Sequence, residues 1–127
     1  MINGKWIIMR ENIVKIKSFV FAVRVVKLYQ FMCEQKKEYV LSKQLLRSGT
    51  SVGAMVREAE HAETKNDFEY KMGIAKKEIN ETIYWLELLR ETDYLPKEQF
   101  DSINTDAVEI IKLITAILKS TKASINN

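Results

Sequence analysis

The chain has 127 residues, with 20 Lys+Arg against 17 Asp+Glu and a net charge of +3. That length suits one compact domain, and 46% apolar with 29% charged residues is a globular composition, not a disordered one. Four glycines and one proline are too few for a turn-rich β-sandwich or barrel, and a single cysteine, Cys33, excludes an internal disulfide framework or a cysteine-built zinc site.

The first helix is predicted over Ser18 to Gln35. Its longest apolar run, Phe19 to Val23, is far short of the ~20 residues that span a membrane. Upstream, only Trp6 to Met9 separate Lys5 from Arg10, too short a stretch for a signal peptide. A reduced, cytoplasmic domain is therefore expected. Within this helix Arg24, Lys27, Gln30 and Glu34 fall in one stripe about 120° wide at 100° per residue. The remainder, including Phe19 and Phe21, is apolar, about twice the arc that one bundle helix needs to bury. A second buried face, a subunit interface, is the expectation.

The second helix, about Val40 to Ala62, carries Leu41, Leu45, Val52, Val56 and Ala59 on one side. Gly49 and Gly53 share another face and cost about 1 kcal/mol each relative to alanine. Close approach of a second backbone offsets that cost; a local kink is the alternative. The third helix starts at Thr64, with Asp67 three residues on as a variant capping box. Its seam is Phe68, Met72, Ala75, Ile79, Thr82, Leu86 and Leu89, and it stops near Asp93, ahead of Pro96. The fourth repeats the pattern with Phe100, Ile103, Ala107, Ile110, Ile114 and Ile117. The short link between them makes these two helices antiparallel neighbours, and the four helices are expected to form one all-α domain.

Chemistry-bearing patterns are sparse. Glu58 and His61 have the Glu-x-x-His spacing of carboxylate di-iron bundles, but that site needs two such motifs and His61 is the only histidine. No metal, cofactor or catalytic residue is assigned, and His61 reads as a surface residue. Arg47, Arg57, Glu58, Glu78 and Glu81 read as a structural polar network between helices or subunits. No phosphate-binding glycine loop is present. Charge is uneven: residues 1–40 hold eight bases and three acids, a balance of +5. Lys15, Lys17, Arg24, Lys27, Lys36 and Lys37 are the candidate phosphate contacts, a field that grows if subunits repeat about an axis.

A resemblance is carried by Lys17-Ser-Phe-Val-Phe-Ala22, Gln44-Leu-Leu-Arg-Ser-Gly-Thr-Ser-Val-Gly53, Arg57-Glu-Ala59, Asp67-Phe68, Ile74-Ala75, Lys77-Glu78, Glu81-Thr82 and Trp85-Leu86-Glu-Leu-Leu89. In order and spacing these are similar to the small bacterial four helix bundle proteins, also called the 23S rRNA intervening-sequence protein family, from about Met9 to Lys122. Met55 stands where that family usually has asparagine, and Lys76 where it has leucine. The resemblance implies an up-down bundle assembled as a homopentamer, encoded within insertions in ribosomal RNA genes, with a similar protein serving diversity-generating retroelements beside a reverse transcriptase. It carries over no catalytic residue. It also implies a natural start at Met9, leaving Met1 to Ile8 as an extension outside the fold and residues 9–127 as a single antiparallel up-down four-helix-bundle domain. Two roles follow as expectations: a non-enzymatic oligomer that binds RNA, with Phe19, Phe21, Gly49 and Gly53 at packing or subunit contacts, or an interaction scaffold for a partner enzyme such as a reverse transcriptase, without nucleic-acid affinity of its own.

Overall fold

The structure, a computed structural model, describes residues 2–125, with side-chain placement for all of these except 2–4, 6, 7, 124 and 125. Four helices run in the order α1 (Ile2–Gln35), α2 (Leu41–Glu60), α3 (Lys65–Glu91) and α4 (Lys97–Ile125), with no strand among the described residues. Each helix packs on the next and α4 closes on α1, while the diagonal pairs stay apart. Connections this short force antiparallel neighbours. The result is an up-down four-helix bundle.

The seams foreseen for α3 and α4 form the core. Met72, Ala75, Ile79, Thr82, Leu86 and Leu89 are buried on α3, and Ile103, Ala107, Ile110, Ile114 and Ile117 on α4. They meet Val14, Phe21, Val25 and Met32 of α1 and Leu45, Val52, Val56 and Ala59 of α2. Helix α1 departs from its expected start at Ser18: it begins at Ile2, and residues 2–8, read from the sequence as an extension, are its first turns. The reason lies in the pattern. Between Met9 and Val20 the stripe at helical spacing, Met9, Ile13, Ile16 and Val20, faces outward, and Val14 is the apolar residue of this stretch on the core side, so the core-facing pattern is weak.

Gly49 and Gly53 settle where α2 approaches α1. A Cβ on Gly49 would sit 2.7 and 2.8 Å from the two γ-carbons of Val25, and one on Gly53 would sit 3.2 Å from the Ser18 carbonyl oxygen. Both glycines therefore face α1 of the same chain, and close approach explains them. Beside them, Ser48 and Thr82 form a fully buried hydroxyl pair, 3.0 Å apart, bridging α2 and α3.

The helix ends follow local chemistry. The Thr64 hydroxyl accepts from Asp67 N–H at 3.0 Å, as its spacing suggests. At the end of α3, Asp93 takes a left-handed backbone (φ 68), and Tyr94 N–H turns back to Leu89 O at 3.0 Å. Lys37 does the same after α1 (φ 54), and Glu38 N–H reaches Met32 O at 3.0 Å. A left-handed lysine crowds its own Cβ, at a cost of roughly 1 kcal/mol. Lys37→Gly is accordingly expected to raise the urea midpoint by up to about 1 kcal/mol of stability; an unchanged or lowered midpoint would contradict the strain.

Glu38 caps α2 from outside the helix. Its buried carboxylate accepts from the backbone N–H of Val40 and Leu41, each at 3.0 Å, and of Ser42 at 2.7 Å, while the Ser42 hydroxyl donates to Glu38 O at 2.8 Å. Burial pushes this carboxyl up, but the backbone donors outweigh burial and hold it below the ordinary carboxylate value. Glu38→Ala is expected to cost about 1–2 kcal/mol, the loss of a helix cap. The pH dependence has a definite sign. A depressed folded pKa gives stability that is complete above the ordinary value of 4.5 and disappears as pH falls through the lower folded value. The stability gap between wild type and Glu38→Ala should therefore be flat at neutral pH and narrow in acid; a gap that widens in acid would refute the cap.

Candidate functional site

The outward side of α1 is a second apolar seam. Met9, Ile13, Ile16, Val20 and Val23 follow steps of 4, 3, 4 and 3, opposite the buried Val14, Ser18, Phe21 and Val25. Met9, Ile16, Phe19 and Val20 are each more than half exposed, and Ile13, Val23 and Val26 more than a third. By helical spacing no charged residue falls on this seam between Met9 and Val23, a run of about 21 Å, and Lys27 takes its next position. Scattered surface apolars need no explanation, but a continuous face of them marks an interaction site. Phe19, foreseen at a contact, belongs to this face, with the Arg57 guanidinium 5.9 Å from its ring centre. Phe21 instead points into the core of its own subunit.

Ion pairs border the seam on both sides. Toward α2, Lys15 Nζ meets Glu60 at 2.8 Å. Toward α4, Lys17 meets Glu109 at 3.0 Å, and Arg24 meets Asp106 at 2.6 Å and the Ser102 hydroxyl at 3.0 Å. Half of the candidate phosphate contacts are thus drawn sideways onto acids of neighbouring helices. Lys27, Lys36 and Lys37 have no ion partner among the described residues, and the Lys36 ammonium lies 5.9 Å from the Phe31 ring centre. Lys27 lines a groove between α1 and α4 with Arg24, Phe31 and Leu95. The six bases therefore do not form one patch.

Of the five residues read as a polar network, the structure brings three together. Arg47 bonds Glu81 at 2.7 Å and lies 3.9 Å from Glu78, and Trp85 Nε1 donates to the same Glu81 oxygen at 3.0 Å. Glu58 pairs instead with Lys71 at 2.9 Å, which raises the lysine pKa through that hydrogen bond and charge. His61 is exposed, its Nε2 3.6 Å from Glu60. Where α2 ends, a cleft of about 330 Å³ opens between α1 and α3, floored by Val14, Val56, Phe68 and Met72. Glu11 lines it, its carboxyl raised above the ordinary value by burial and then by the charge of Glu60.

None of the described helices is long and apolar enough to cross a membrane. The described residues define an up-down four-helix bundle with an exposed apolar face on α1. Within that class, the chain belongs to the 23S rRNA-intervening sequence protein family, whose model matches residues 10–116. It is also similar to a crystal structure, at 1.70 Å, of a protein with unknown function from the S23 ribosomal protein family of Bacteroides thetaiotaomicron VPI-5482. The two share 56% identity over 87% of this chain and 98% of the other, with a TM-score of 0.86. No curated protein matches the chain.

Proposed function

We propose that this protein is the subunit of a non-enzymatic, cytoplasmic homo-oligomer that associates with RNA. The single observation that carries this reading is the exposed apolar face of α1, free of charge between Met9 and Val23, a face of the kind that another polypeptide surface covers. The assembly is a homopentamer, as the family resemblance implies, and five copies of a +3 chain build a cationic particle from a weakly charged subunit. The family's description, an rRNA intervening-sequence protein, supports RNA as the partner. On this reading Lys27, Lys36 and Lys37 are the α1-side bases left to meet phosphates.

A scaffold for a partner enzyme such as a reverse transcriptase is favoured by one finding, the internal pairing of Lys15, Lys17 and Arg24. Titration of labelled RNA over a salt series separates the two roles. RNA association gives an affinity whose logarithm falls linearly with log salt. Absence of binding at 50 mM salt would reject it and leave the scaffold.

A further inference from the structure

Residues 2–10 and 110–125 together contain five bases and no acid. The fold places these two stretches side by side. Along α1 the partners on α4 advance as the α1 number falls, from Arg24 with Asp106 to Lys17 with Glu109, so the segment of α4 beyond Glu109 flanks the start of α1. The acids of α4 lie in its first half, where they neutralise α1; its second half keeps Lys112, Lys119 and Lys122. All three are exposed, and none takes part in an ion pair among the described residues. Lys5, also exposed, lies at the same end.

We infer that the outer face of α4 beyond Glu109 is the principal phosphate-backbone contact surface for RNA. The inference rests on the RNA-associated reading above and gives it a location. Among the described side chains, the exposed residues of this part of α4 are Lys112, Thr115, Lys119, Lys122 and Ala123. A protein partner needs apolar anchors in a desolvated centre, and an interfacial helix needs an apolar side to insert. This face offers neither. It presents cationic groups spread over three turns, the chemistry that tracks a phosphate chain without reading sequence.

The test uses the full chain and a fluorescein-labelled 20-nucleotide single-stranded RNA. The probe is titrated by anisotropy between 50 and 200 mM salt, with vesicles of phosphatidylglycerol as a parallel arm. Substituting Lys112, Lys119 and Lys122 with Gln should weaken RNA binding by about tenfold or more at 50 mM salt. It should also flatten the log–log salt slope by about 2, since each single-strand phosphate contact contributes about 0.7. A matched triple of Lys27, Lys36 and Lys37 to Gln should cost less. The substituted side chains are exposed, and circular dichroism checks that each variant keeps its helicity. Wild-type binding that the α4 variant leaves unchanged would overturn the inference and spare the RNA reading. Failure of wild type to bind RNA overturns both, and loss confined to the vesicle arm would overturn the choice of RNA.

Discussion

Replacing Gly49 with alanine should destabilise the bundle, even though alanine is the better helix former. The added methyl would lie 2.7 and 2.8 Å from the γ-carbons of Val25, a fully buried β-branched residue on α1. Neither Val25 nor the α1 backbone yields easily, because branched side chains in helices hold one rotamer. Overpacking of this kind costs about 1–3 kcal/mol, against a propensity gain of about 1 kcal/mol. The net expectation is a loss of up to about 2 kcal/mol, read from urea unfolding. The cause is testable through Val25→Ala, which removes the two opposing carbons. The double variant should be more stable than the sum of the two single losses, with a coupling of about 1 kcal/mol or more. Strict additivity would show that Gly49 serves something other than the α1–α2 approach.

The second large effect belongs to the outer face of α1. Ile16→Glu combined with Val20→Glu alters two side chains that are each more than half exposed in the isolated subunit. Buried in a subunit interface, each carboxylate would be an uncompensated charge, a penalty of about 3–5 kcal/mol. The variant should sediment as a monomer while retaining the helical circular dichroism of the wild type. A variant that assembles normally would mean that the seam from Met9 to Val23 is not the contact. Loss of helicity in the monomer would show that α1 also depends on the assembly for its own folding.

The sequence disclosed the parts of this molecule governed by one periodicity. On α3 and α4, apolar residues at alternating steps of three and four landed in the core, and Thr64 capped α3 as its spacing suggests. The first half of α1 was hard to read for a physical reason: its stripe at helical spacing, Met9, Ile13, Ile16 and Val20, faces away from the bundle, and between Met9 and Val20 the core side holds Val14 as its apolar residue. Glu38 escaped because capping patterns look for a short polar residue beside the helix, whereas this carboxylate reaches forward from an earlier turn position.

Charge was the least legible property. Summed along the chain, the first forty residues hold the basic excess and residues 94–127 balance. In space the sum is taken across helices. Asp106 and Glu109 neutralise Arg24 and Lys17, and the end of α4 that they leave behind keeps Lys112, Lys119 and Lys122. The candidate RNA face thus moves from the sequence window with the largest excess to the end of the bundle that lacks acids.

The central claim is that α1 carries a subunit interface, and the mass of the particle in solution tests it most directly. Sedimentation equilibrium of the full 127-residue chain at micromolar concentration should return a single species of five times 14.8 kDa. A monomer of 14.8 kDa across that range would contradict the account, because it would leave the apolar face of α1 permanently in water.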